Sequence, residues 1–421
     1  MSCKWQTNLY ALPACIEGPT LFGGIIMSND YVFNDTLPVA PLKIAALESC
    51  RDLAEKVNSH IINFRRNDIE VLKKRQENLQ YRGYDADSYM LDCACPRFGS
   101  GEAKGIVNES VRGTDIYAMV DVTNYSLTYK MSGFTNHMSP DDHYQDLKRV
   151  IAAAAGKARR INVIMPFLYE GRQHKRSGRE SLDCAMMLEE LIQMGVSNII
   201  TFDAHDPRVQ NSIPLSGFDN FMPTYQFIKA LLNHDKTLKI DKDNLMVISP
   251  DEGAMSRAVY LANNLGVDMG MFYKRRDYSR VVNGRNPIVA HEFLGSSGEG
   301  KTVLIIDDMI SSGESMLDTC RALKERKAKR VVVCATFGLF TNGLEKFDEF
   351  FAKGYLDCVV TTNLNYHTPE LLKRDWYVEA DMSKFIAAII NSLNHNVSLE
   401  NALTPTAKIQ KLIKRYNEGQ M

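Results

Sequence analysis

Along the 421-residue chain, short apolar runs rich in Val and Ile recur and each stops abruptly at polar residues. They are Ile161–Pro166 (INVIMP), Asn198–Phe202 (NIITF), Leu245–Pro250 (LMVISP), Thr302–Ile306 (TVLII) and Val331–Thr336 (VVVCAT). Continuous rather than alternating apolar runs predict strands buried on both faces. Between them lie stretches with helical spacing, Ser181–Met194 closed by Gly195, and Glu314–Lys327. Strand alternating with helix predicts an α/β fold of doubly wound domains with mainly parallel sheets.

In such sheets ligands bind beyond the carboxyl ends of the strands. The polar segments that follow the runs are therefore where chemistry is sought: GRQHKR, DAHD, DEGAMSRA and DDMISSGES. Two regions read as elaborations. Residues 60–90 are polar and charged and predict a helical insertion on the surface; residues 124–142 predict a long loop. After Pro405 the chain has helical spacing with a basic end.

Composition narrows the classes. Lys+Arg number 50 and Asp+Glu 51, so a coat for nucleic acid or anionic membrane is not expected. No apolar run reaches the ~18–20 residues of a membrane helix, and the first residues lack a signal-peptide layout. Nine scattered Cys suit reduced thiols and a cytoplasmic protein. Cys93 and Cys95 form a C-x-C without a partner pair at zinc spacing.

Gly295–Thr302 (GSSGEGKT) matches the phosphate-loop pattern G-x-x-x-x-G-K-T. That motif requires a helix after it, whose N-terminal N–H groups face the phosphates. Here Lys301-Thr302 runs straight into VLIIDD, a strand pattern, so the segment predicts a Gly-rich connection.

Val303–Ser315 has the context that GSSGEGKT lacks. A buried strand delivers Asp307 and Asp308, then Ser311, Ser312, Gly313 and Ser315 form a small-residue turn before a helix. Turn N–H groups and hydroxyls there suit a phosphate monoester, and the two carboxylates suit neighbouring sugar hydroxyls. The segment resembles the loop of phosphoribosyl diphosphate binding proteins.

Other segments narrow the resemblance to the ribose-phosphate diphosphokinase (PRPP synthetase) family. Arg97–Glu102 with Glu109–Asp115 is similar to its F-S-D-G-E and E-S-V-R-G-x-D segments. Tyr169–Arg176 with Arg179-Glu180 is similar to its Y-x-R-Q-D-R-K loop, and Asp203–His205 to its D-L-H. Ser249–Ala258 is similar to its S-P-D-x-G-G-x-x-R-A, and Lys274–Arg276 matches its K-R-R.

The resemblance implies transfer of the β,γ-diphosphoryl group of ATP to the anomeric hydroxyl of ribose 5-phosphate, with Mg2+. Lys274 and Arg276 would be catalytic cations on a closing loop. Phe98, Ser100, Glu102, Arg172, Gln173 and Lys175 would bind ATP. Asp307, Asp308, Ser311, Ser312, Gly313 and Ser315 would bind ribose 5-phosphate, and Asp251 and Gly253 the diphosphate. His205, Asp251, Asp203 and Asp219 would serve the metal. It also implies an ATP-side domain over 1–224, a ribose-5-phosphate domain over 225–384, helices over 385–421 packing back on the first domain, and a homo-oligomer of dimers assembled into a hexamer.

The chain departs from the family pattern at Ser100, His174, Ala254, Ser311, Glu314 and Phe337, and its HNVSLENAL segment matches the family's regulatory tail only loosely. A non-catalytic paralogue and a phosphoribosyltransferase stand as alternatives. Retained cations and carboxylates at every strand end weigh against the first, and the Arg172-Gln173 loop against the second.

Overall fold

The computed structural model describes residues 36–75, 81–276, 288–403 and 405–420, and at 274–276, 288–291 and 401 the backbone alone. The first half runs β1 (Leu42–Ala46), α1 (Arg51–Lys74), a small antiparallel pair β2 (Cys93–Ala94) and β3 (Ile106–Val107), then β4 (Asp115–Met119). A hairpin of β5 (Thr128–Met131) and β6 (Phe134–His137) leads into α2 (Pro140–Ala154), β7 (Arg160–Ile164), α3 (Asp183–Gln193), β8 (Asn198–Phe202) and β9 (Gly217–Phe221). Strands β1, β4, β7, β8 and β9 form one five-stranded parallel sheet in that order. Every residue of β4 is buried, as the continuous apolar pattern requires of a strand covered on both faces.

The second half runs α4 (Thr224–His234), β10 (Leu245–Ser249), α5 (Met255–Leu265), β11 (Asp268–Arg276) and β12 (Ile288–Gly295). It continues with β13 (Thr302–Ile310), α6 (Glu314–Glu325), β14 (Arg330–Gly338), α7 (Glu345–Ala352), β15 (Cys358–Thr362) and β16 (Tyr377–Ala380). Its seven-stranded sheet has the order β12-β11-β10-β13-β14-β15-β16, parallel except for the antiparallel edge strand β12. Helices α8 (Ser383–Asn394), α9 (Glu400–Leu403) and α10 (Thr406–Asn417) follow. No helix of the described residues is long and apolar enough to cross a membrane.

Three expectations need correction. Residues 60–74 are helical as expected, but they are the second half of α1, which packs along α8, rather than a surface insertion; 76–80 lie outside the described residues. Arg65 is 1 % exposed there and donates to Asn391 and Asn394, with the Tyr84 and Tyr89 rings 4.7 and 4.6 Å from its guanidinium. Polar letters misled because this arginine is buried with partners rather than solvated.

The 124–142 segment is the β5–β6 hairpin and the start of α2, not a loop. Ser139 caps α2: its hydroxyl accepts from the Asp142 N–H while the Asp142 carboxylate accepts from the Ser139 N–H. The helices after residue 385 also divide. Helix α8 packs on α1 of the first half, whereas α10 packs on α4 and α5 of the second.

The Gly295–Thr302 segment joins β12 to β13. Lys301 Nζ donates to the Lys242 carbonyl at 2.6 Å, so this lysine holds a neighbouring loop.

Candidate active site at facing strand ends

Strand β8 ends in a sharp turn. Asp203 sits at φ 42° and is 3 % exposed, with its N–H on the Phe221 carbonyl and the next N–H, of Ala204, on Asn220 Oδ1. The turn brings His205 back toward β13, where His205 Nδ1 lies 2.6 Å from Asp308 Oδ2. Asp203 reaches the same half of the chain through α5 and β14. Its Oδ1 accepts from Arg257 Nε at 2.6 Å and its Oδ2 from the Thr336 hydroxyl at 2.6 Å. Arg257 also donates to the Ala204 carbonyl at 3.1 Å. One buried carboxylate thus joins the end of β8 to α5 and β14.

Strand β13 extends further than its apolar run, through Asp307 and Asp308 to Ile310. Burial pushes the Asp307 carboxyl well up, and the neighbouring Asp308 and Asp251 charges push it further. Burial alone would raise Asp308 too, but the His205 hydrogen bond and Arg257 overcome it and hold Asp308 below its ordinary value. The same hydrogen bond raises His205 against the cost of its burial.

After β13 comes the Ser311-Ser312-Gly313 turn, at the N-terminus of α6. Gly313 has φ 80°, and a Cβ there would lie 2.4 Å from the Phe347 ring. Only glycine fits both conditions. Glu314 turns outward, its carboxylate 2.7 Å from Lys346 Nζ on α7, so its charge is neutralised away from the turn.

In the loop after β10, Asp251 Oδ1 accepts the Gly253 N–H at 3.0 Å, and Ser249 Oγ donates to the Asp251 carbonyl at 2.6 Å. Asp251 therefore shapes its own turn. A narrow cleft of about 10 Å³ lies between the two sets of strand ends, lined by Gly171, Arg172, Asp203, His205, Met309 and Phe337 among others. Phe337 packs edge-on against Phe167 with centroids 5.0 Å apart, which accounts for an apolar ring at this departure from the family pattern. His174 points inward: its ring lies 5.5 Å from that of His205, and Nε2 lies 3.4 Å from Asp206. Arg172 and Lys175 are exposed, and the buried Gln173 Oε1 has no partner among the described residues.

Not every expected residue is brought together. Asp203, sequestered with Arg257 and Thr336, is not free for a cation. Asp219 accepts from Asn198 Nδ2 at 2.6 Å, and Asn198 is the first residue of β8, so this carboxylate reaches toward the opposite end of the sheet from the site. Lys274 and Arg276 close strand β11, but their side chains, and residues 277–287, lie outside the described residues. Phe98, Ser100 and Glu102 form an exposed turn that contributes nothing to the cleft lining. Arg257 and Thr336 carry no signal in the sequence as a pair, although Arg257 lies in a matched segment and Thr336 immediately precedes the departure at Phe337.

A family model for the N-terminal domain of ribose phosphate pyrophosphokinase matches residues 42–195, and one for the phosphoribosyl transferase domain matches residues 226–372. The ribose-phosphate pyrophosphokinase of Pasteurella multocida is 29% identical over 316 residues, 74% of this chain and 91% of that one. That of Thermotoga maritima is 28% identical over 288 residues, 67% of this chain and 82% of that one. In fold, the chain is similar to the crystal structure of phosphoribosylpyrophosphate synthetase from Mycobacterium smegmatis, with a TM-score of 0.63 and 20% identity over 84% of this chain and 99% of that one. The chain belongs to the ribose-phosphate pyrophosphokinase family.

Proposed function

We propose that the chain is a ribose-phosphate diphosphokinase: the anomeric oxygen of ribose 5-phosphate attacks the β-phosphorus of ATP, the bond to the α,β-bridging oxygen breaks, and AMP leaves. The observation that carries this reading is the junction of His205 with Asp308 at 2.6 Å, which brings the ATP-side sheet to the ribose loop at their carboxyl ends.

In this reading the 311–315 turn and the start of α6 hold the 5-phosphate through N–H groups and the Ser311, Ser312 and Ser315 hydroxyls. Asp307 and Asp308 accept hydrogen bonds from ribose hydroxyls, with Asp308 oriented by His205. Phosphoryl transfer is mostly positioning plus electrostatic stabilisation. Arg172, Gln173 and Lys175 bind the ATP phosphates, and Lys274 and Arg276 supply positive charge as it develops on the flanking phosphates. Phe98 and Glu102 receive the adenine.

Among the described residues no three His, Cys, Asp or Glu side chains form a metal-ligating set. Magnesium is usually held by one or two carboxylates and substrate phosphates, so a sparse protein set suits it. Crowding of Asp307 by Asp308 and Asp251 supports a cation there. Asp251 and His205 would hold it, and the bound ion would offset phosphate charge.

We place the protein in the cytoplasm, as a homo-oligomer. Phe98 is 52% exposed and its turn is absent from the cleft lining, which favours a second copy supplying the turn. A monomer by light scattering at working concentration would overturn the oligomer. The activity is tested by mixing purified protein, ATP, magnesium and ribose 5-phosphate and following AMP. Absence of AMP would leave the non-catalytic paralogue as the reading.

A further inference from the structure

We infer that the β5–β6 hairpin is a positioning element for the nucleotide, holding the Phe98–Glu102 turn in the shape that receives the base; this rests on the function proposed above. Within the turn, the Phe98 N–H donates to the Glu102 carbonyl and the Gly101 N–H to the Phe98 carbonyl. The Ser100 hydroxyl donates to Glu102 Oε2 at 2.8 Å, which fixes that carboxylate and leaves its second oxygen for a ligand. Among the described residues, the backbone of 98–102 makes one hydrogen bond beyond itself. It is the Ser132 N–H, at the hairpin tip, donating to the Gly99 carbonyl at 2.9 Å.

Two further contacts fit the same brace. Gly101 has φ 94°, and a Cβ on it would lie 2.8 Å from Met131 Sδ, so the turn and the hairpin approach as closely as only a glycine permits. At the foot of the turn, the Arg97 guanidinium lies 4.8 Å from the centroid of the Tyr129 ring and 2.9 Å from Asp146 on α2. Arg97, Tyr129 and Met138 also line a cavity of about 340 Å³ against the end of β1. The foot of the turn therefore borders the hairpin and a void rather than packed core. Ser132 stands at φ 51°, a backbone conformation that a non-glycine residue rarely holds unless something fixes it.

A brace of this kind predicts a split in kinetics. Met131→Ala and Tyr129→Ala change the hairpin's grip without touching the phosphate or ribose machinery, and Tyr129→Phe keeps the ring beneath Arg97. With the full-length chain, the Met131→Ala/Tyr129→Ala variant should raise KM for ATP about tenfold, with kcat and KM for ribose 5-phosphate within about twofold. Tyr129→Phe alone should leave KM for ATP within about twofold of wild type. Met131→Ala alone, at a partly exposed position, provides the same reading if the double variant does not fold, and should raise KM for ATP a few-fold. Unchanged KM for ATP in a folded variant, or kcat and both KM values shifting together, overturns the inference. Wild-type protein that forms no AMP overturns the proposed function instead, and ATP binding by equilibrium dialysis then decides the brace: unchanged affinity in the variant overturns it.

Discussion

Arg257 Nε lies 2.6 Å from Asp203 Oδ1, with both side chains at most 9 % exposed, and this pair ties the end of β8 to α5. Removing the cation leaves a buried carboxylate with only Thr336 to satisfy it. Arg257→Met should therefore cost about 3–5 kcal/mol in urea unfolding, since a broken buried pair is far worse than an absent one. Asp203→Asn, whose one amide oxygen can still accept from Arg257 while its NH2 donates to the Thr336 hydroxyl, and which tolerates positive φ, should cost less. Equal losses would mean that the charge does not matter.

His395 makes the α1–α8 seam sensitive to acid. Burial lowers it to about 4, with Arg65 adding to the effect, although the Asn391 carbonyl opposes it by accepting from Nδ1–H. Its Nε2 is buried without a partner among the described residues, where an N–H would be left undonated. A histidine whose folded pKa lies below its unfolded value of 6.5 leaves the native state neutral while the unfolded chain binds a proton. Stability is complete above 6.5 and falls between 6.5 and about 4, by about 3 kcal/mol in total. His395→Gln should flatten that part of the stability–pH curve, and a variant with wild-type slope would remove this account.

Lys274→Ala and Arg276→Ala should each lower kcat by on the order of 10²-fold, the usual loss when one preorganised charge stabiliser is removed. Circular dichroism and melting temperature should hardly move. Activity within a few-fold of wild type would show that the charge comes from elsewhere.

Lys301→Ala tests the false phosphate loop. Its Nζ serves the Lys242 carbonyl, so ATP affinity by equilibrium dialysis should match wild type. A large loss would mean that GSSGEGKT binds phosphate after all.

Much of this was legible in the sequence because it is local. Continuous apolar runs marked the buried strands, and Asp307, Asp308 and Gly313 followed one of them in a pattern that only a strand–turn–helix satisfies. Rejection of Gly295–Thr302 needed only the order of elements. What was not legible depends on partners distant in sequence. Arg65 looks solvated until Asn394, 329 residues later, is seen to receive it. Asp203 looks like a ligand until Thr336, 133 residues on, is seen to occupy it. The 124–142 hairpin was hidden because its strands are largely exposed, so no buried face imprints an alternating apolar pattern.

Helix α8 has a consequence for the order of folding. Asn394 donates to the Ala40 carbonyl and to Asp115, accepts from Arg65, and the Val39 N–H reaches the Asn394 carbonyl. The first sheet is finished in sequence by Phe221, yet the cover for α1 comes more than 150 residues later. During synthesis, the amino-terminal half leaves the ribosome with that flank bare, and it must wait for the carboxyl-terminal half before it closes. A release of the chain at residue 380 would therefore damage the half that was made first.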